Sequence, residues 1–176
     1  AINDGQWHFI SMLFDRDDLG YIYIDGELDA SGNISSFQGS LGNDEPIEIG
    51  VDLNHSLVFL GGLLDELSIW NGVISETQIQ TSMDYELLGS EQGLNAYWNF
   101  NDGEGLTLTD LSGNGNNGTI YGAEWSDDVP NIENQVQQRF SLEFDGADDY
   151  IESQTLDLTS SPFTIEAWFK MPTVSF

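Results

Sequence analysis

The residues of this chain best suited to chemistry are oxygen donors held in turns. Asp110-Leu-Ser-Gly-Asn-Gly-Asn-Asn-Gly118 crowds a carboxylate, a hydroxyl and several carboxamides among glycines. Calcium takes several hard oxygens at about 2.3–2.6 Å, and a glycine-rich turn aims backbone carbonyls inward beside such side chains. The same glycines and asparagines also suit turn positions with positive φ, and sequence leaves both alternatives open. A second acidic loop, with Asp145, Asp148 and Asp149, reads first as a solvated turn. Between Asn99 and Asp110 the acids and glycines miss the spacing of an EF-hand loop. The sequons at Asn33, Asn54 and Asn117 are read as chance.

Hydrolytic chemistry finds less support. Glycoside hydrolysis needs two carboxyl groups facing one cleft, which on a strand means alternate positions. Glu48 has no carboxylate two residues on, and the adjacent Asp65 and Glu66 are expected on opposite faces. Glu143 and Asp145 do alternate, but they run into a Phe-Asp-Gly turn. His8 follows Trp7 in a strand and His55 lies in a polar loop, so no Ser/His/acid set emerges. With no cysteine in the chain, thiolate nucleophiles, thiolate zinc sites and disulfides are all excluded. The expectation is a non-catalytic protein.

Aromatic residues and charge set what it could bind. Trp7, Trp70, Trp98, Trp125 and Trp168 lie in or beside candidate strands, where tryptophan is first a packing residue. Tyr21, Tyr23, Tyr121 and Trp125 have polar enough neighbours to stack on sugar rings. Lys+Arg number 3 against 31 Asp+Glu, a formal charge of −28. Arg16, Arg139 and Lys170 cannot neutralise a phosphate array, so nucleic acid and anionic membranes are disfavoured as partners. Any glycan is expected to be neutral, or bridged by calcium. Charged residues are only 19 % against 39 % hydrophobic and 12 % aromatic, which is the composition of a packed chain. No apolar run approaches the ~20 residues of a membrane helix, and the start has no basic n-region, so any export signal is expected outside this sequence.

The elements that position these residues read as short alternating runs punctuated by Gly, Asn, Asp and Ser, the pattern of antiparallel strands with one buried face. Gln6 to Phe14 places Trp7, Phe9 and Ser11 on one face and His8, Ile10 and Met12 on the other. Asp25-Gly26 is a hairpin signal that pairs Tyr21–Ile24 with Glu27–Ala30. Further strands are expected at Ile47–Val51, Leu57–Leu60, Leu63–Trp70, Leu94–Phe100, Gly118–Trp125, Phe140–Phe144, Tyr150–Ser153 and Phe163–Lys170. Ser75-Glu-Thr-Gln78 has the capping-box arrangement, with Ile79, Met83 and Leu87 at near-helical spacing, and predicts one short helix over Ser75–Glu86. The fold class expected is all-β, an antiparallel jelly-roll sandwich with one short helix.

Several of these segments resemble the laminin-G-like, concanavalin A-like jelly rolls of secreted proteins. Gly93-Leu-Asn-Ala-Tyr-Trp-Asn-Phe100, Asp110 to Gly118, Ser141-Leu-Glu-Phe-Asp-Gly-Ala-Asp-Asp-Tyr-Ile151 and Phe163-Thr-Ile-Glu-Ala-Trp168 look like that family's N-terminal half. Asp4-Gly-Gln-Trp-His8, Tyr23-Ile-Asp-Gly26, Gly62-Leu-Leu-Asp-Glu-Leu-Ser-Ile-Trp70 and Val73-Ile-Ser-Glu76 look like its C-terminal half. The order is inverted: residues 1–88 carry the second half, 89–93 a linker and 94–176 the first half, with the family's central strands missing. A window on a tandem array, a permuted single domain and a strand-exchanged unit all fit that order.

The resemblance implies further expectations. It implies a structural calcium ion (Ca2+) with Asp110 and Asn114 as side-chain ligands and Asp65 from the facing strand. It also implies an extracellular or cell-surface protein acting in adhesion, or as a self-assembling unit of an array or fibre whose partners are neighbouring copies. A carbohydrate-binding module is the alternative. Such packing of −28 modules is expected in salty, calcium-bearing water, where self-repulsion is screened.

Overall fold

A computed structural model describes residues 2–37, 45–52, 58–133, 139–156, 158 and 162–173. In chain order its elements are β1 (Trp7–Phe14), β2 (Leu19–Ile24), β3 (Glu27–Asn33), β4 (Glu48–Ile49), β5 (Gly61–Asn71), α1 (Glu76–Asp84), β6 (Leu94–Trp98), β7 (Thr107–Leu108), β8 (Gly118–Tyr121), β9 (Glu124–Ser126), β10 (Ser141–Asp145), β11 (Tyr150–Glu152) and β12 (Phe163–Lys170). All the strand pairs are antiparallel, and the architecture is the expected β-sandwich jelly roll with one helix.

The larger sheet runs β3-β2-β1-β12-β5-β10-β9, and β6 pairs with β5 beside β10. Strand β5 is long enough to serve two partners on one edge: Gly61–Leu64 pairs with β10 and Leu67–Trp70 with β6. On its other edge lies β12, which is matched along its whole length to β1 from Trp7↔Lys170 to Phe14↔Phe163. A strand from the second half of the sequence is thus inserted between two strands of the first half. The smaller sheet runs β4-β11-β8-β7.

Burial alternates along β1 as the sequence pattern dictates, but β5 and β12 are buried on both faces, because they lie between α1 and the smaller sheet. Phe9, Leu13, Tyr23 and Trp70 face α1 and pack with Ile74 and Ile79. Leu64, Leu67, Ile69, Trp98, Leu142 and Phe144 face the smaller sheet and pack with Leu108, Ile120 and Ile151. Fully burying each such large apolar side chain contributes roughly 1.5–3 kcal/mol, so these two layers supply most of the driving force.

The helix is shorter than its periodicity predicts. Its start is as expected: Ser75 Oγ accepts from the Gln78 amide at 3.3 Å, and Gln78 Oε1 accepts from the Ser75 amide at 3.0 Å. Its end comes at Asp84 because Tyr85 turns to extended backbone and bridges to Glu133. The single strand expected at Gly118–Trp125 is two, β8 and β9, in different sheets. Gly122 makes the crossing at φ +81, with its Cα so close to Asp149 that a Cβ would lie 1.9 Å from Oδ1. Of the strands expected at Ile47–Val51 and Leu57–Leu60, the described residues give β4 and a single Val51–Phe59 bridge. Leu57, Asn54 and His55 lie outside the described residues.

Three connections fix how the sheets overlap. Strand β8 turns directly into β9, β10 turns directly into β11, and the Gly50 carbonyl at the end of β4 accepts from Leu60 at the start of β5 at 2.8 Å. The core beneath the smaller sheet therefore reaches β9, β10, β5, β6 and β12 of the larger sheet. The larger sheet continues beyond β12 through β1, β2 and β3.

Candidate functional site

The Asp110 loop is stitched to β6 by its own side chains. Asp110 Oδ1 accepts from the Tyr97 and Ser112 amides at 3.1 and 2.9 Å, and Oδ2 from the Asn116 amide and Ser112 Oγ at 2.8 and 2.9 Å. Asn114 Nδ2 donates to the Leu94 and Asn95 carbonyls at 3.3 and 2.9 Å. Gly113 and Gly115 take φ of 80° and 83°, the left-handed region that glycine enters freely. Burial pushes the Asp110 carboxyl up, but the bonds from Asn116, Ser112 and Tyr97 outweigh it and hold the group below its ordinary value. Against calcium's need for converging free oxygens, both oxygens of Asp110 are taken by protein donors.

Asp65 has a different environment. Its Oδ2 meets the Arg139 guanidinium at 3.1 Å, and Glu66 Oε1 meets the same nitrogen at 3.2 Å. The expectation that Asp65 and Glu66 point to opposite faces fails here. Glu66 adopts φ 54°, and the register of β12 against β5 slips between Glu166 and Trp168. That bulge turns both carboxylates to one side. Tyr97 donates its hydroxyl to Glu66, and Arg139 also donates to the Pro130 carbonyl. Burial, only partly offset by Tyr97 and Arg139, raises Glu66 to about 7. Burial and then the neighbouring Glu66 hold Asp65 well above its ordinary value. Asp65 and Glu66 are only 0 % and 5 % exposed, which suits a sealed structural cluster rather than a pair facing a cleft.

Among the described residues, hard oxygens converge in the other acidic loop. Ligand atoms of Asp145, Asp148 and Asp149 lie within 4.8 Å of one another. Asp149 Oδ2 accepts from the Asp145 amide at 2.7 Å, and a cleft of about 350 Å³ beside it is lined by Gly122, Glu124, Glu143, Asp145 and Asp149. Glu124 and Glu143 stand directly opposite in the β9–β10 ladder, an unfavourable like-charge pair. Burial, followed by the charges of Asp145 and Asp148, raises the Asp149 carboxyl.

The four candidate sugar-stacking residues do not share one surface. Tyr23 is buried under α1, where its hydroxyl donates to Glu76 at 3.4 Å, and Tyr21 packs against the same layer. Trp125 packs on the core and donates to the Gly105 carbonyl at 3.0 Å. Tyr121 alone of the four is exposed, stacked on Tyr150 with centroids 4.5 Å apart. Trp70 and Trp98 are core residues as expected; Trp7 and Trp168 are half-buried, and Trp7 donates to Asp128 at 2.9 Å. His8 lies between Asp25 and Asp4 at 2.8 and 3.2 Å; the Asp25 bond, opposed by partial burial, raises its pKa.

Two residues that sequence reading passed over stand out. Arg139 follows no motif, although as one of three cations in a −28 chain it had to be committed somewhere. Glu166 was legible as the lone acid inside Phe-Thr-Ile-Glu-Ala-Trp-Phe, and it is fully buried.

One apolar cluster lies outside the core, on the larger sheet. Ile10, Met12, Ile22 and Ile24 form cross-strand neighbours on β1 and β2, on the face opposite α1. They belong to neither core cluster; Ile22 is 41 % exposed and the other three are half-buried.

Residues 1–80 match the family model of the concanavalin A-like lectin/glucanases superfamily, of laminin-G type. The match spans β1 to β5 and the start of α1, which hold the motifs read as that family's C-terminal half. The fold is thus a β-sandwich of jelly-roll type, and residues 1–80 are the part of the chain similar to that superfamily. No curated protein and no solved structure matches the chain. No helix among the described residues is long and apolar enough to cross a membrane.

Proposed function

We propose that this chain is a non-catalytic extracellular module that associates with neighbouring copies of itself, in adhesion or as a unit of a surface array or fibre. One observation carries this reading: Ile10, Met12, Ile22 and Ile24 continue the face on which β12 carries Ile165 and Ala167, yet belong to neither core cluster of the described residues, Ile22 exposed and the other three half-buried. Isolated exposed apolar residues are ordinary, but a contiguous patch continuing a core face favours a partner surface. A second copy can present the same patch in a two-fold, self-complementary contact. Of the three readings of the inverted order, the pairing of β12 with β1 within one chain favours a permuted jelly roll.

Light scattering over a concentration series tests this. Wild type should self-associate in buffered salt, and Met12→Glu, placing a carboxylate at the patch centre, should be monomeric with an unchanged circular dichroism spectrum. A wild type that stays monomeric throughout would overturn the reading.

Calcium belongs to the same proposal, through the Asp145, Asp148 and Asp149 loop, where a cation would relieve the facing Glu124 and Glu143. Asp110 and Asn114 then serve to pin their own turn, and Asp65 to hold Arg139. Screening by salt and calcium would also weaken repulsion between −28 chains. A second reading, binding of a neutral glycan, is favoured by the exposed Tyr121–Tyr150 stack. Glycan-array binding lost in Tyr121→Ala would promote it.

A further inference from the structure

Glu166 occupies the middle of β12, directly beneath α1, with no exposure to solvent. Its Oε1 accepts from Ser11 Oγ of β1 at 2.9 Å and its Oε2 from Trp70 Nε1 of β5 at 3.1 Å. Ser68 of β5 and Ser82 of α1 also reach it. One carboxyl group therefore ties three strands to the helix, and all these partners are neutral. Charged groups on the same elements are engaged elsewhere. His8 lies on the opposite face of β1 with Asp25 and Asp4. Asp65 and Glu66 on β5 hold Arg139, and Lys170 on β12 holds Asp128. On α1, Glu76 accepts from Tyr23, and Asp84, whose carbonyl accepts from Glu133, stands at the C-terminal end.

We propose that Glu166 is the latch of a pH-sensitive helix: α1 sits on the sheet while the Glu166 carboxyl carries its proton, and lifts more readily when that proton is lost. Opening would hydrate the carboxylate and uncover the apolar layer of Phe9, Leu13 and Trp70. Burial, only partly offset by the bonds from Ser11, Ser82, Trp70 and Ser68, raises the closed-state group from an ordinary 4.5 to about 7. In an open form that restores full hydration, the group returns to its ordinary value. The opening constant is then flat below the lower pKa, rises up to tenfold per pH unit between the two, and levels off about 300-fold higher.

Native-state hydrogen exchange of the α1 amides, corrected for intrinsic rates, reads this directly between pH 4.5 and 8.5. The wild-type opening constant should climb with pH at α1 more steeply than at β10, and Glu166→Gln should be flat at α1. A slope missing in wild type, equal at α1 and β10, or retained in Glu166→Gln overturns the latch. Should Glu166→Gln not fold, Ser11→Ala serves. It removes a donor that favours the charged carboxylate, so the midpoint should move to higher pH, and an unmoved midpoint overturns the proposal equally.

Discussion

Replacing Arg139 by methionine strips the guanidinium from two buried carboxylates while keeping much of the side-chain volume. Glu66 already sits at about 7 with Arg139 in place. Measured from an ordinary 4.5, that rise costs about 3 kcal/mol of stability when the group is ionised, at about 1.4 kcal/mol per unit. Removing one partner of a buried ion pair typically costs a further 3–5 kcal/mol. The sign follows from the direction of the shifts. Groups raised in the folded state bind more protons there than when unfolded, so their stabilising contribution is present at low pH and lost as pH rises towards the folded value. Arg139→Met raises Asp65 and Glu66 further and steepens that loss. At pH 8 the variant should lose about 3–5 kcal/mol, lowering Tm by roughly 10 °C for a domain of this size. At pH 5 the carboxyls take up protons, and the loss should shrink to the about 1–2 kcal/mol of the broken bond to Pro130. Urea denaturation at both pH values measures this. Equal losses at the two pH values, or less than about 1 kcal/mol at pH 8, would refute the buried-charge account.

Three further outcomes follow from the same geometry. Asp110→Ala removes the acceptor of four hydrogen bonds and should cost about 1–3 kcal/mol in urea denaturation at pH 7. Because the Asp110 carboxyl is held below its ordinary value of 3.8, that difference should fade as pH falls below it. Gly122→Ala sets a methyl against Asp149 at a positive φ, and should lower Tm by several degrees, equivalent to more than about 1 kcal/mol. Calcium at millimolar concentration should raise Tm and EDTA reverse it, with the response lost in Asp149→Asn and kept in Asp110→Asn; no response in wild type removes the metal from the account.

Alternation made the strands legible: in Trp7 to Phe14 it shows which side is buried before any partner is known, whereas Phe163 to Lys170 is buried on both faces, Thr164 and Glu166 included. The capping box located Ser75, since its signal is local. What stayed hidden depended on departures from regularity. A left-handed Glu66 in mid-strand defeats a two-residue period, so the sealed Asp65–Glu66–Arg139 cluster was invisible. Gly122 looked like one more glycine in a strand until Asp149 was beside it. The Asp110 loop was correctly seen as rich in donors, but its composition does not reveal that Asp110 accepts from the loop's own amides. The extent of sheet cover was hidden too, because it depends on which strands cross between sheets.

Copy-to-copy contact through the β1–β2 face is the central claim, and the chain's three methionines report on it. Met12 lies on that face and Met83, on α1, packs against the layer beneath the helix, with Met171 just beyond β12. With 13C-methyl methionine labelling, raising the protein concentration in salt and calcium should shift or broaden the Met12 methyl resonance while Met83 stays put. A Met12 signal unchanged up to near-millimolar concentration, or changes confined to the other two, would contradict it.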